Sequence, residues 1–203
     1  MYLQDRACCL KRSPSGEDRL LLQLFLREEG LKRVFARVSR KGGPGRGVPD
    51  FLAVGEVTLR QKGPDLPAWL QEFSPEAAYH GIARDYRRLK AASRMAAFFA
   101  ANLPHVEEFP SLWDLLHSAL EAVENAPVPE VVPLKTVFLF ARGEGYPVHQ
   151  DWLGRQRGGD RRALADNLRR PVADCAADPG DLGRWLEDLF RFLSAETPLL
   201  PGK

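Results

Sequence analysis

The sequence predicts an α+β protein in which a five-stranded OB-fold β-barrel is followed by an α-helical bundle. Up to about residue 74, apolar and polar residues alternate at a period of two between turn-forming residues. Beyond Pro75 the apolar residues recur at helical spacing. Five short strands in a segment of about 70 residues favour a small closed barrel, for which the OB-fold is the common solution. The predicted domains are therefore a barrel over residues 1–74 and helices over residues 75–203.

The strands are predicted from this alternation and from the turns that bound it. The five predicted strands cover residues 8–12, 20–26, 31–38, 51–60 and 69–73. In the third strand, the even-numbered residues 34–38 are apolar and face one side, whereas Arg33, Phe35 and Arg37 face the other. The Gly- and Pro-rich segment 42–49 is predicted to be a mobile loop because it cannot continue a strand.

The helices are predicted from apolar spacing near 3.6 residues. Ser74 is expected to cap the first helix, with Pro75 at its first position. The buried stripe of that helix is expected to contain Ile82, Tyr86, Leu89, Ala96, Phe99 and Leu103. Further helices are predicted to follow Pro110, over 135–141, up to Arg170 and over 182–193. The segment 148–172 is predicted as a basic loop that ends in the short helix up to Arg170.

Composition limits the classes of protein to which the chain can belong. With 203 residues, 44% of them hydrophobic, it has enough apolar material for a core, which excludes a disordered chain. No run approaches the roughly 18 apolar residues that span a bilayer, and residues 1–12 lack a signal pattern. We therefore expect a cytoplasmic protein without membrane contact. The three cysteines Cys8, Cys9 and Cys175 fit no zinc knuckle and are expected to be reduced structural thiols.

The sequence also lacks the common catalytic motifs. It contains no phosphate-binding loop, no GxGxxG, no HExxH and no nucleophile elbow, and its four histidines are scattered. The prediction is a non-enzymatic protein that needs neither a metal nor another cofactor. A metal-free hydrolase would require converging carboxylates or a histidine-centred site, which spacing alone does not reveal.

Positive charge is concentrated in the first third of the chain. Residues 1–62 contain 13 Lys and Arg against 7 Asp and Glu, although the whole chain carries a formal charge of only +2. Such a basic module is typical of a polyanion-binding surface, because neutralised phosphates release counterions. Arg33 and Arg37 carry guanidinium groups that can bind phosphates. They flank Phe35, whose ring can stack on a base. The candidate DNA-binding residues are Arg12, Lys32, Arg33, Phe35, Arg37, Arg40, Lys41 and Arg46.

Two alternatives stay open at this point. In the first alternative, the helical domain covers Phe35, and the strand then offers no stacking surface. In the second alternative, the barrel is an adaptor that binds other protein chains without contacting DNA. The same fold serves both purposes.

The order of several short motifs resembles the RecO family of recombination mediators. In the barrel region these motifs are ACCLKRSPSGEDRLLL at 7–22, FLREEG at 25–30 and the strand 34–40. In the helical region they are EFS at 72–74, the helix 82–103, PSLWDLL at 110–116 and GYP at 145–147. The resemblance covers about residues 6–147 and rests on the order of these motifs.

This resemblance implies an OB-fold and a helical domain that bind single- and double-stranded DNA and anneal complementary strands. It also implies partnership with RecR and with single-stranded-DNA-binding protein, so that RecA is loaded during repair. Many family members carry a cysteine zinc module after the segment that matches Gly145 and Tyr146, whereas residues 148–170 contain no cysteine. We therefore expect no zinc here. The hypothesis is that basic residues of the same segment replace the module electrostatically, namely Arg155, Arg157, Arg161 and Arg162.

Overall fold

The computed structural model describes residues 1–37, 47–63, 66–77 and 79–202. Within these residues it contains five strands and seven α-helices, which confirms the predicted α+β class. The chain divides into two compact units. The barrel unit consists of Met1–Tyr79 with Leu103–Trp113, and the helical unit consists of His80–Asn102 with Asp114–Lys203. The domain boundary after residue 74 stays a prediction.

The five strands close into a barrel with the strand order of an OB-fold. They are β1 (Tyr2–Pro14), β2 (Arg19–Leu26), β3 (Gly30–Arg37), β4 (Val54–Arg60) and β5 (Ala68–Ala77). The closed order is β1-β2-β3-β5-β4, and β1 completes the ring because it pairs with both β2 and β4. All neighbours are antiparallel except β3 and β5, which run parallel. The predicted five-stranded barrel is thereby confirmed.

The barrel core is built from alternate residues of the strands. Its buried members are Ala7, Cys9, Leu22, Leu24, Leu26, Val34, Ala36, Val57, Leu59, Ala68 and Phe73. A bulge in β1 between Cys9 and Lys11 shifts the register against β2. Gly55 permits the close approach of β4 to β5, because a Cβ atom there would lie 2.2 Å from the carbonyl oxygen of Ser74.

One boundary of the barrel differs from the prediction. Ser74 and Pro75, expected to cap and begin a helix, instead lie in β5, where they pair with Glu56 and Gly55. The local sequence permits both states, because the fixed φ of proline suits a strand edge as well as a first helical turn. Pairing with β4, which is distant in sequence, decides between them.

The segment Leu103–Trp113 packs against the barrel within the same unit. Phe25 points outward from β2, and the edge-on indole of Trp113 covers it with ring centroids 5.6 Å apart. Phe25 is fully buried as a result. Gly30 begins β3 with a φ of +71°, and a Cβ atom there would lie 2.5 Å from the ring of Phe109. This part of the outer barrel wall therefore belongs to the hydrophobic interior.

The helices follow the barrel in sequence. They are α1 (His80–Arg84), α2 (Tyr86–Asn102), α3 (Phe109–Asn125), α4 (Val131–Gly143), α5 (Leu153–Arg155), α6 (Gly158–Arg169) and α7 (Pro179–Glu196). The rings of Phe98 and Phe99 meet Phe140 at centroid distances of 5.0 and 5.3 Å and form the centre of the helical core. In the part of the chain that the structure describes, no helix has the length and apolar character needed to cross a bilayer.

The first predicted helix is two helices, α1 and α2. Asp85 lies between them and accepts hydrogen bonds from the backbone N–H groups of Arg88 and Arg87. These bonds hold the pKa of Asp85 below its ordinary value. Of the predicted stripe, Ile82, Ala96, Phe99 and Leu103 are buried. Tyr86 and Leu89, expected to be buried, are exposed.

The segment 148–172 is mostly helical: the short helix expected up to Arg170 is present as α6, but helical turns also occupy Val148–Arg155, where a loop was expected. It contains a π-helical turn (Val148–Trp152), then α5 and α6. Leu164 is completely buried and anchors α6. At the end of α6, the amine of Lys135 donates to the carbonyl oxygens of Leu168 and Arg170. Tertiary contacts thus order a stretch whose local sequence is basic and rich in glycine.

Candidate nucleic-acid interface

Successive residues of β3 point to opposite sides of the strand, as the sequence predicts. Arg33 and Arg37 are exposed, and Phe35 between them is half-buried. Val34 and Ala36 point to the opposite side and belong to the barrel core. Two guanidinium groups and a ring therefore share the outward face of one strand.

Strand pairing extends this face around the barrel. Phe35 of β3 lies opposite Trp69 of β5, Trp69 lies opposite Arg60 of β4, and Arg60 lies opposite Tyr2 of β1. Paired residues of adjacent strands point to the same side of a sheet. We call these four residues the outer row. Three aromatic rings and one guanidinium group thus follow one another across four strands.

Two rings of the outer row, those of Phe35 and Trp69, are in contact with each other and with arginines. The centroids of Phe35 and Trp69 are 5.3 Å apart, with the ring planes inclined by 39°. The guanidinium carbon of Arg37 lies 5.6 Å from the Trp69 centroid, and that of Arg19 lies 5.9 Å from the Phe35 centroid. Cation–π contacts of this kind contribute about 0.5–1 kcal/mol at exposed sites. They hold the arginines beside the rings.

A cleft of about 460 Å³ opens beside Trp69. Its described lining includes the side chains of Arg37, Arg60 and Lys62 and contains no carboxylate. The indole of Trp69 forms part of the same wall. A flat apolar surface flanked by three cations suits a ligand that carries both rings and phosphates.

The cations at this cleft differ from other basic residues of the barrel in their partners. Arg6 pairs with Glu76 at 2.6 Å, and Arg27 pairs with Glu28 at 3.3 Å. Within residues 1–37, 47–63, 66–77 and 79–202, no carboxylate forms an ion pair with the cleft cations or with Arg33. Their positive charge is therefore not neutralised by these parts of the chain, and it is available to an anionic ligand.

The other predicted site residues have different positions. Arg12 lies in β1 opposite the core residue Leu22 and pairs with Asp50. Lys32 lies on the same side of β3 as the core residues and pairs with Glu29 at 3.1 Å. Both cations are thus engaged by carboxylates rather than placed on the outward face of β3. The remaining three predicted residues, Arg40, Lys41 and Arg46, lie outside the described residues.

Besides Tyr2 of the outer row, four members of this surface are absent from the predicted site: Arg19, Arg60, Lys62 and Trp69. Each lies in or beside a predicted strand, but no local pattern links it to Phe35. The signal that finds Trp69 is the strand order of the OB-fold, in which β5 lies beside β3.

A second cleft of the barrel, of about 390 Å³, has the opposite character. It is lined by two arginines and four carboxylates, the latter being Asp5, Glu28, Glu56 and Glu72. Burial raises the pKa of Asp5, although the backbone N–H groups of Glu28 and Arg6 donate to it. A polyanion is therefore attracted to one cleft of the barrel and repelled by the other.

The described residues contain no cluster of three or more His, Cys, Asp or Glu side chains that would hold a metal ion. The three cysteines are free and buried. Burial raises the pKa of Cys9 to about 12, so this thiol stays protonated at neutral pH.

Comparison with known proteins relates this chain to DNA repair proteins. No family model matches it. The DNA repair proteins RecO of Anaplasma marginale strains Florida and St. Maries are each 25% identical to it over 127 residues. The matched region is 61% of this chain and 50% of each relative. The similarity supports a RecO-like relationship. The chain spans about half the length of these curated relatives.

Proposed function

We propose that this protein is a non-enzymatic mediator of DNA repair and recombination whose barrel binds single- and double-stranded DNA. The observation that carries the proposal is the cleft in which Arg37, Arg60 and Lys62 surround the indole of Trp69 and whose described lining contains no carboxylate. OB-folds bind oligonucleotides through the face of strands 2 and 3 and through the loop between strands 4 and 5. Phe35 lies on that face, and Lys62 lies in that loop. The similarity to the RecO repair proteins supports the cellular role.

In the proposed mechanism, the barrel promotes pairing of complementary strands without ATP. The cleft cations and Arg33 neutralise phosphates, which lowers the repulsion between two bound strands. The contacts do not read base edges, so bases remain accessible for pairing and sequence preference is low. No bond is made or broken.

The proposed partners are RecR and single-stranded-DNA-binding protein, and the proposed outcome is the loading of RecA onto strands that this coating protein covers. Support for these partners comes from the similarity to RecO proteins. We propose the cytoplasm as the site of action.

A strand-annealing assay tests the proposal. Two complementary labelled oligonucleotides are mixed with the full chain in the absence of ATP, with and without single-stranded-DNA-binding protein. We expect faster annealing in both conditions and a loss of the effect at high salt, because phosphate contacts weaken as salt rises. If the chain neither binds nor anneals either strand at low salt, the proposal is wrong and the adaptor alternative is favoured.

A further inference from the structure

Trp69 differs from the other tryptophans in its exposure. Trp113, Trp152 and Trp185 are 2–3% exposed and belong to the hydrophobic interior. Trp69 is half-buried, and its ring forms part of the wall of the cationic cleft. Since all four tryptophans of the chain lie in the described residues, Trp69 is the one indole that a ligand in this cleft can reach.

The cleft combines two kinds of contact that respond differently to the form of the nucleic acid. The cations Arg37, Arg60 and Lys62 attract phosphates, which single strands and duplexes both present. An indole instead stacks on the flat face of a base. In a duplex these faces are covered by the neighbouring base pairs, whereas a single strand can turn a base out of its stack. Stacking on Trp69 is therefore available to an unpaired base but not to the internal base pairs of a duplex.

The outer row is long enough for several nucleotides. From Phe35 through Trp69 and Arg60 to Tyr2 there are three strand-to-strand spacings of roughly 4.8 Å, or about 14 Å. A stacked strand with the duplex rise of about 3.4 Å per nucleotide would place roughly four nucleotides on this length, and a more extended single strand places fewer. Tyr2 is 65% exposed at the far end of the row. A strand that crosses the barrel strands here meets rings and cations in turn.

We propose that Trp69 makes this surface selective for single strands by stacking on one unpaired base, while the cleft cations bind the phosphates of either form. This inference rests on the proposed DNA binding and adds its determinant of strand preference.

Intrinsic tryptophan fluorescence tests the stacking step directly, because the other three indoles are buried. The full chain is titrated with a single-stranded oligothymidine of about 12 nucleotides and with a blunt duplex of equal length, a length within the range of OB-fold sites. We expect the single strand to quench the fluorescence and the duplex to leave it unchanged at saturation. In Trp69→Phe the quenching should disappear. Equal quenching by the duplex, or quenching that persists in Trp69→Phe, would overturn the inference.

Affinity measurements then separate stacking from charge. Trp69→Leu keeps apolar bulk in β5 but removes the aromatic face, and it should weaken single-strand binding roughly 5- to 150-fold. Its affinity for the duplex should stay within about twofold of the parent value. Trp69→Phe should retain most of the single-strand affinity. Arg60→Ala with Lys62→Ala should weaken both forms, whereas the control Arg27→Ala, which lies at the acidic cleft, should change neither.

The outcomes distinguish this inference from the proposed function. If the parent chain binds neither form of DNA, the proposed function fails. If it binds both but Trp69→Leu lowers the two affinities equally or not at all, the proposed function stands and the assigned role of Trp69 is wrong. The thermal unfolding midpoint of each variant shows whether a loss of binding follows from unfolding.

Discussion

Trp69 and Phe35 lie directly opposite each other across the parallel pair of β5 and β3, with ring centroids 5.3 Å apart. The sequence places these residues 34 positions apart, in strands that are not consecutive. Closure of the barrel therefore converts one predicted ring on β3 into a platform of two rings. Arg37 and Arg19 flank that platform.

The double variant Arg33→Ala with Arg37→Ala should weaken DNA binding to a similar extent for different base sequences. Both guanidinium groups are exposed on the outward face of β3, where they can contact phosphates. If each contacts one phosphate of a single strand, the slope of log affinity against log salt should become about 1.4 less negative. Fluorescence anisotropy of labelled oligonucleotides at several salt concentrations measures this slope. An unchanged slope would show that neither arginine contacts the backbone.

Gly30→Ala should destabilise the barrel by about 2 kcal/mol or more. An alanine at a φ of +71° is strained, and its Cβ atom would lie 2.5 Å from the ring of Phe109. Urea denaturation followed by circular dichroism measures the loss. The control is Gly183→Ala in α7, where the added methyl meets nothing within 4 Å and should stabilise by about 0.5–1 kcal/mol. A neutral Gly30→Ala would contradict the packing described for Phe109.

Glu130→Gln should reduce the acid sensitivity of the helical unit. Arg87 donates two hydrogen bonds to the Glu130 carboxylate, at 2.6 and 2.8 Å, and they hold the pKa of Glu130 below its ordinary value of 4.5. The pKa of Glu130 is lower in the folded state than in the unfolded state. The stabilisation by this ion pair is therefore complete above the unfolded-state pKa and is lost as the pH falls through the folded-state pKa.

Unfolding midpoints measured between neutral pH and about pH 3 check this expectation. The parent should lose stability more steeply than Glu130→Gln, which is less stable at neutral pH but lacks this titration. Glu107→Gln changes an exposed carboxylate and serves as the control. Parallel pH profiles for the parent and Glu130→Gln would contradict the account of this ion pair.

The cysteines of β1 should be unreactive in the folded protein. Cys8 and Cys9 are at most 1% exposed, and burial raises the pKa of both thiols. Since the thiolate is the reactive form, a disulfide reagent near pH 8 should label neither cysteine until urea unfolds the barrel. Mass spectrometry of labelled peptides distinguishes them from Cys175. Rapid labelling of Cys9 under native conditions would show that β1 opens locally.

The sequence predicts features that depend on neighbouring residues. The alternation of Val34, Phe35 and Ala36 along β3 is local, so their sides of the strand follow from the pattern. The five strands could be predicted for the same reason, because local alternation or the turn residues that bound a strand mark each of them.

Features that depend on distant pairing could not be predicted in this way. Ser74 and Pro75 suit a helix start locally, and only their pairing with β4 makes them part of β5. The bulge after Cys9 places Arg12 opposite the core residue Leu22. A strict alternation along β1 does not predict this position. Trp69 joins the candidate site through strand order alone.

Photocrosslinking tests whether the barrel binds DNA, because it identifies the residues that DNA touches. A single strand that carries 5-bromodeoxyuridine is bound to the full chain, irradiated and analysed by mass spectrometry. We expect crosslinks in peptides that contain Phe35, Trp69 or Tyr2, and we expect them to be lost at high salt. Crosslinks confined to the helical unit, with the barrel peptides unmodified, would contradict DNA binding by the barrel.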